Sequence, residues 1–247
     1  MNKQDKKFRE IPYNYTSFSD REIVLRYFDE EAWQIIEELR KTRVTGRSAK
    51  LLYESIGDLF IIERNPYIYN DHLEDRKKRN KLRKIHEMRF RSIEKSARDN
   101  PLVCRLMAMC RGVDRRFFAQ LDDETRRRKR IQHVLGRVTA DHNIQFSAFH
   151  KVSHATDATD WRVEYPAVVV FPDRTQEISG IIRAARELGL RIIPRGGGTG
   201  LTGGAVPVFR DTLVLNTEKL NTIGEITQVE SGGQSIPVIE ADAGAIT

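Results

Sequence analysis

The feature that most constrains this sequence is a glycine-rich run, PRGGGTGLTGGAVP, directly after a short apolar segment. Six glycines fall between Gly196 and Gly204. Because glycine has no Cβ, its backbone N–H groups can approach an anion closely, and its φ angle can be positive, which aims several N–H groups at one point. The run therefore predicts a phosphate-binding loop, with Arg195 as a permanent cation at its entrance.

Two common nucleotide-binding loops do not fit this run. Gly198, Gly200 and Gly203 have the spacing GxGxxG, but a Rossmann loop opens a long helix, whereas residues 205–207 lead towards another strand. A Walker A loop ends in Gly-Lys-Ser or Gly-Lys-Thr, and this run has no lysine. A glycine-rich hairpin without a ligand stays as the alternative, although six glycines are entropically costly to order without one.

The sequence around the loop has an α/β pattern. Apolar and β-branched runs predict strands over residues 167–171, 191–194, 212–216 and 236–241. Between the first two, an amphipathic pattern predicts a helix with Thr175 as its N-cap and Gly189 as its C-terminal stop. A crossover of that length suits a parallel pair of strands. Residues 142–160 are polar and predict a loop.

The sequence before this region predicts mainly helices. Ser19 and Glu22 have the spacing of a capping box, and apolar positions follow at helical intervals. The run DLFIIE over residues 58–63 predicts a strand. Further on, Pro101 is expected to end one helix and Gly112 the next. The predicted fold class is α+β, with a basic helical region over residues 1–140 and an α/β region over residues 141–247.

The positive charge of the chain is concentrated in its first half. The net charge is +7, and between Asp71 and Arg130 twenty lysines and arginines stand against ten aspartates and glutamates. Nucleic-acid binding normally adds a reading element or interleaved aromatics, and this segment has mainly Phe90, Phe117 and Phe118. We therefore expect a solvated face or a docking surface for an acidic neighbour, with no nucleic acid bound. A basic nucleic-acid-binding or interaction module stays as the alternative.

Other classes of site find little support in the sequence. Cys104 and Cys110 are the only cysteines, and we expect both to be reduced, buried thiols on one helix. The four histidines between residues 133 and 154 match no metal-ligand spacing, so we expect no metal site. No apolar stretch approaches the roughly 18 residues of a membrane span, and the opening residues lack a signal-peptide h-region. These features predict a cytoplasmic protein without a membrane span.

The residues from about Ser153 onward resemble a known family. The stretches are TDATDWRVEYPAVVVFPDRTQEISGIIRAARELGLRIIPRGGGTGLTGGAVP and DTLVLNTEKLNTIGEI. Together they resemble the FAD-binding domain of the vanillyl-alcohol oxidase/p-cresol methylhydroxylase family, close to its lactate, glycolate and 2-hydroxyglutarate dehydrogenase branch. The resemblance covers about two-fifths of the chain. Residues 1–140 resemble an uncharacterised extension of large bacterial FAD-linked oxidoreductases, which assigns no residue roles.

The resemblance implies an FAD site on the glycine-rich run. The residues it implies are Pro194, Arg195, Gly196, Gly197, Gly198, Thr199, Gly200, Leu201, Thr202, Gly203 and Gly204 around the pyrophosphate, with Gly244 as a further contact. Some relatives attach the flavin covalently through a histidine in this loop. Thr199 occupies that place here, so we expect FAD to be bound non-covalently.

The resemblance also implies an activity. It predicts an FAD-dependent dehydrogenase that oxidises a small 2-hydroxy acid and passes electrons to an iron–sulfur centre or a quinone rather than to NAD. In the family the flavin domain continues into a second subdomain and a cap domain that forms the substrate pocket. We therefore expect the catalytic residues, and any iron–sulfur cluster, beyond Thr247, and we expect the isolated chain to be inactive.

Overall fold

The computed structural model describes residues 19–97, 99–159 and 161–245. The chain divides into two compact units, and the division falls between Arg127 and Arg128. The first unit is helical and the second combines helices with strands, which confirms the predicted α+β fold class. The predicted boundary near residue 140 stays a prediction, since the structural division lies inside a helix about a dozen residues earlier.

Six helices account for most of the first unit, and the sixth continues into the second. They are α1 Asp20–Tyr27, α2 Glu30–Arg40, α3 Arg43–Arg64, α4 Pro66–Glu74, α5 Arg76–Ser96 and α6 Pro101–Leu135. The predicted capping box is confirmed at the start of α1. The Ser19 hydroxyl accepts from the Glu22 backbone N–H, and the Glu22 carboxylate accepts from the Ser19 N–H at 2.7 Å.

Helix α3 corrects the predicted strand over residues 58–63. The segment DLFIIE is the C-terminal part of a continuous 22-residue helix that Thr42 caps by accepting from the Thr45 N–H. Leu52, Ile56 and Leu59 are fully or almost fully buried, and their spacing of four and three residues is that of a helix face. The run resembled a strand because its apolar residues are consecutive. One of them, Ile61, lies on the opposite face of the helix and is 56% exposed.

Helix α6 confirms one predicted helix boundary and corrects another. Helix α5 ends at Ser96, ahead of Pro101 as predicted, and Pro101 is the first residue of α6, which suits proline because the first helical N–H has no partner. Gly112 lies inside the helix, where burial of residues such as Cys110 and Val113 on either side offsets the weak helix propensity of glycine. Cys110 is buried, but Cys104 is exposed, so the prediction of two buried thiols was wrong for Cys104.

Part of the positive charge of α5 lies in ion pairs within the helical unit. Arg79 is only 8% exposed; its Nε lies 3.4 Å from Asp122, and its Nη1 donates to the Thr125 hydroxyl at 3.0 Å. The exposed face of the same helix carries four lysines that form no ion pair with a carboxylate of the described chain. They are Lys77, Lys81, Lys84 and Lys95. The exposed face of α5 therefore carries lysine cations that stand outside ion pairs of the described chain.

The second unit contains two sheets. Its elements after α6 are a 3₁₀ turn Asp141–Asn143, β1 Ile144–Gln145, α7 Ala148–Ser153, β2 Val168–Val170, α8 Thr175–Glu187, β3 Arg191–Arg195, β4 Thr212–Asn216, β5 Ile223–Ser231 and β6 Gln234–Ala241. The first sheet has the order β1-β2-β4-β3, with β2 and β3 each parallel to β4 and β1 antiparallel to β2. The second is the antiparallel pair β5-β6.

Several predictions for this unit are confirmed and others are corrected. The strands predicted over residues 167–171, 191–194 and 212–216 are present, but β4 lies between the two that α8 connects. Thr175 was predicted to be the N-cap of α8, but it is the first residue of the helix. The N-cap is Arg174, whose side chain makes no capping hydrogen bond. The predicted loop over residues 142–160 contains β1 and α7.

The core of the second unit lies between the sheet and α8. Every residue of β2 and of β4 is buried, because parallel strands are covered on both faces. Ile181 and Ala185 of α8 are fully buried against them, and Leu135 at the end of α6 joins the same cluster. Gly189 follows α8 with φ of +68°, which is the left-handed conformation predicted for the stop.

The hairpin β5-β6 has a different character. Almost all of its residues are exposed on both faces, and they include large apolar ones; Ile226 and Ile239, which lie opposite each other, are 72% and 52% exposed. β5 was absent from the predicted strands, and the strand predicted over residues 236–241 pairs with β5 rather than with the buried sheet.

Candidate functional site

The glycine-rich loop leaves the carboxyl edge of the buried sheet. The strands β2, β3 and β4 are mutually parallel, so their carboxyl ends lie on one edge, and the loop begins directly after Arg195 of β3. In open α/β sheets this edge is where ligands bind. The architecture therefore places the predicted phosphate loop at the edge where a cofactor is expected.

The loop itself has the donor set that a pyrophosphate requires. Gly198 and Gly203 have φ of +69° and +74°, which side chains with a Cβ rarely adopt. Within the described chain, none of the backbone N–H groups from Gly196 to Gly204 donates a hydrogen bond. A run of N–H groups that donate no hydrogen bond within the described chain, most of them on glycines, suits an oxyanion, so the loop fits the diphosphate of FAD.

Arg195 supplies the cation of the site. Its Nη1 donates to the Thr156 carbonyl oxygen at 2.6 Å, and its guanidinium lies against Gly198, where a Cβ would come within 2.2 Å of Nη2. Burial lowers the pKa of Arg195, while the Asp157 and Glu218 carboxylates act in the opposite direction. A guanidinium remains charged after such a shift, so the positive charge lies directly under the loop.

The structure brings Gly244 next to the base of this loop. Gly244 is buried, its N–H donates to the Leu220 carbonyl oxygen at 2.7 Å, and a Cβ on it would lie 1.9 Å from the Thr217 oxygen. The neighbouring Ala243 carbonyl accepts from the Thr217 hydroxyl at 3.1 Å and lies 3.4 Å from the Cβ position of Gly196. The segment around Gly244 thus meets the first residue of the loop.

The remaining predicted residues lie along an open loop. Gly197, Thr199, Gly200, Leu201, Thr202 and Gly204 are exposed. Pro194 is an exposed residue of β3, paired with Leu215. Leu201 has 77% of its surface exposed, and a Cβ at Gly200 would meet no atom within 4 Å. The contacts of these residues with FAD stay predictions.

A buried histidine beside the loop was missed by sequence reasoning. His154 lies at the end of α7, and Asn216, the last residue of β4, donates from Nδ2 to His154 Nε2 at 2.8 Å. Since Nε2 accepts, the proton is on Nδ1, which lies 2.8 Å from the His150 carbonyl oxygen. The sequence signal was the polar Asn216 at the carboxyl end of an otherwise apolar strand.

The environment keeps His154 neutral. Burial lowers the pKa of His154 from 6.5 to about 4, and the nearby Arg195 cation acts in the same direction, while the His150 carbonyl opposes them. The imidazole is therefore a fixed acceptor for Asn216 at neutral pH. Asn216 in turn donates to Glu218 at 3.1 Å, so these residues form one network at the carboxyl end of β4.

His154 predicts a pH dependence of stability. Its folded-state pKa lies below its unfolded value, so between pH 6.5 and 4 the unfolded chain binds more protons, and stability falls as the pH is lowered through this window. The loss due to this group is expected to reach about 3 kcal/mol near pH 4. Urea denaturation of the wild type and of His154→Gln, at pH 7.5, 6 and 4.5, measures it.

The variant isolates the histidine because glutamine keeps an acceptor and cannot titrate in this range. We expect the difference in unfolding free energy between the two proteins to shrink as the pH falls. His133→Gln, which changes an exposed imidazole, serves as the control and should retain the wild-type pH dependence. A His154→Gln protein that loses stability between pH 6 and 4.5 as steeply as the wild type would contradict this assignment.

The structure also bears on other kinds of site. Across residues 19–97, 99–159 and 161–245, no three His, Cys, Asp or Glu side chains are grouped closely enough to hold a metal ion. None of the described helices combines the length and apolar character that crossing a membrane requires.

Comparisons with known proteins support the cofactor. A family described as an FAD binding domain matches residues 166–241, which run from β2 through the glycine-rich loop to the end of β6. A second family, described only as a protein of unknown function, matches residues 6–120. The FAD binding domain match lies in the α/β unit, and most of the second match lies in the helical unit.

The curated relatives match at most half of the chain. The mitochondrial D-2-hydroxyglutarate dehydrogenase of Arabidopsis thaliana is 35% identical over 94 residues, which are 37% of this chain and 16% of that protein. The D-lactate dehydrogenase of Archaeoglobus fulgidus is 46% identical over 56 residues, 23% of this chain and 12% of that protein. The glycolate oxidase subunit GlcD of Bacillus subtilis is 34% identical over 100 residues, 40% of this chain and 21% of that protein.

The chain thus spans about a sixth of the length of the first of these relatives. Among solved structures, p-cresol methylhydroxylase with substrate bound is similar over 41% of this chain and 20% of its own, with a TM-score of 0.36 and 19% identity. The loop geometry and the family match agree on one ligand. Residues 166–241 match an FAD binding domain, and the cofactor that the glycine-rich loop serves is FAD.

Proposed function

We propose that this chain is the FAD-binding part of a dehydrogenase that oxidises a small 2-hydroxy acid and passes the electrons to an acceptor other than NAD. The observation that carries the proposal is the loop of free backbone N–H groups, with Arg195 beneath it, at the carboxyl edge of a parallel sheet. The names of the relatives, which are dehydrogenases or oxidases of D-2-hydroxyglutarate, D-lactate and glycolate, support the substrate class.

The residues of this chain bind and orient the cofactor. The loop amides and the Arg195 cation neutralise the two charges of the FAD diphosphate, and the Gly244 segment closes the base of the loop. When bound, FAD would supply the two-electron redox chemistry for oxidation of the hydroxyl-bearing carbon of the substrate. His154 remains neutral beside Arg195, so it adds no second positive charge to the site.

The proposal has two separable parts, which are the cofactor and the reaction. FAD binding is measured by titration of the protein, with flavin absorbance near 450 nm retained after desalting. The full-length protein, loaded with FAD, is then mixed anaerobically with D-lactate, glycolate or D-2-hydroxyglutarate, with L-lactate and NADH as controls. We expect one of the hydroxy acids to bleach the flavin and NADH to leave it oxidised.

The acceptor is tested with the same preparation. A quinone analogue or a soluble dye should reoxidise the reduced flavin, whereas NAD should not. Retention of FAD without bleaching by any 2-hydroxy acid would overturn the substrate class and leave the cofactor assignment intact. Failure to retain FAD would overturn the proposed function as a whole.

A further inference from the structure

An exposed tryptophan lies beside the glycine-rich loop. Trp161 has 60% of its surface exposed, although it is the largest apolar side chain of this unit. Its ring packs on Gly203: a Cβ built on that glycine would lie 3.0 Å from Cε3 and 3.3 Å from Cζ3 of the indole. Gly203 is one of the two loop residues with positive φ, so the tryptophan contacts the loop where its backbone is most unusual.

A turn formed by Asp157 and Thr159 precedes Trp161. The Asp157 carboxylate accepts from the Thr159 N–H at 2.9 Å and from the Thr159 hydroxyl, and the Trp161 N–H donates to the same hydroxyl oxygen at 3.3 Å. These hydrogen bonds lower the pKa of Asp157, with a smaller contribution from the Ala205 N–H. An aspartate that bonds the backbone two residues on is a stable local turn.

This turn holds the loop at both ends. At one end the Thr156 carbonyl accepts from Arg195 at 2.6 Å, just before the first glycine. At the other end the Trp161 ring covers Gly203, seven residues into the loop. Within the described chain the loop amides between these two points donate no hydrogen bond, so the turn supplies a restraint that those amides do not.

We propose that Trp161 is a positioning residue for FAD, which holds the glycine-rich loop in its anion-binding conformation through Gly203. A loop with six glycines loses more backbone entropy on ordering than a loop of the same length with fewer glycines. When part of that order exists before binding, the ligand has less entropy to overcome and binds more tightly. The inference rests on the proposed function only in that FAD is the ligand.

The test uses Trp161→Ala and Trp161→Phe in the full chain. We expect the Kd for FAD to rise about 10-fold or more in the alanine variant, because the ring that covers Gly203 is gone. Phenylalanine keeps an aromatic ring and should restore most of the affinity. Because Trp161 is mostly exposed, thermal unfolding of both variants should stay within a few degrees of the wild type.

A second ligand locates the effect. ADP carries a diphosphate without the isoalloxazine ring, so a variant that loosens the loop should lose the same factor of affinity for ADP as for FAD. The chain has two tryptophans, and Trp33 is in the other unit, so Trp33→Phe leaves Trp161 as the only indole. Its fluorescence should change on addition of either nucleotide.

The possible results separate clearly. Unchanged FAD affinity in Trp161→Ala would overturn the inference while the proposed function stands. If Trp161→Ala binds FAD more weakly but binds ADP as tightly as the wild type does, the inference is also overturned, since the ring would then act on the flavin rather than on the loop. If the wild type retains no FAD, the proposed function falls and this inference falls with it.

Discussion

Gly198→Ala is expected to weaken FAD binding by about 100-fold. The glycine has φ of +69°, and a Cβ there would lie 2.2 Å from Nη2 and 2.5 Å from Cζ of Arg195. The flexible guanidinium would move away, so its bond to the Thr156 carbonyl would be lost together with the cation under the loop. A left-handed alanine costs about 1 kcal/mol and a charge-assisted hydrogen bond contributes about 2, which together give that factor.

The chain offers a closely matched control. Gly189 has φ of +68°, but a Cβ there would meet no atom within 4 Å, and it follows α8 rather than β3. Gly189→Ala therefore carries the same backbone strain without disturbing Arg195. We expect a loss of about 1 kcal/mol in unfolding free energy and an unchanged Kd for FAD. Equal Kd values for the wild type and Gly198→Ala would show that Arg195 does not contact the cofactor.

Gly244→Ala is expected to destabilise the α/β unit by about 3 kcal/mol. A Cβ at this buried position would lie 1.9 Å from the Thr217 oxygen, 2.7 Å from the Thr217 carbonyl carbon and 2.8 Å from the Leu220 oxygen. All three are backbone atoms, which cannot swing away as a side chain does. The segment that carries Gly244 would have to leave β4, and the base of the loop would open.

This loss is measured by urea denaturation followed by circular dichroism, with FAD affinity as the second readout. Gly232→Ala is the control, because that residue of the β5-β6 turn has φ of +60° and open space around it. It should cost about 1 kcal/mol and leave FAD binding unchanged. If Gly244→Ala were as stable as Gly232→Ala, the close approach to Thr217 would be contradicted.

The parts of the fold that could be predicted are those with a local signal. The strand at residues 168–170 lies within a run of β-branched residues between prolines, and its complete burial is what such a run indicates. The glycines in a row indicated a phosphate-binding loop, and the resemblance of the surrounding residues to a known family specified FAD. The capping box of α1 is equally local, since its partners are three residues apart.

The errors came where long-range packing decides. DLFIIE is helical because its position in α3 lets Leu59 and Ile56 share a buried face, which no window of six residues reveals. Gly112 is held in α6 by residues that pack against other helices. The insertion of β4 between β2 and β3 is a property of the sheet, and the His154 contact with Asn216 spans 62 positions of the chain.

The hairpin β5-β6 has a consequence for the behaviour of the protein in solution. Within the described chain, both of its outer edges carry backbone N–H and C=O groups that no third strand pairs. Its exposed isoleucines and valines give those edges the composition that favours intermolecular strand pairing. The hairpin is therefore the segment at which concentrated samples should self-associate, and lysine at Ile226 or Ile239 should act as a gatekeeper that keeps them monodisperse.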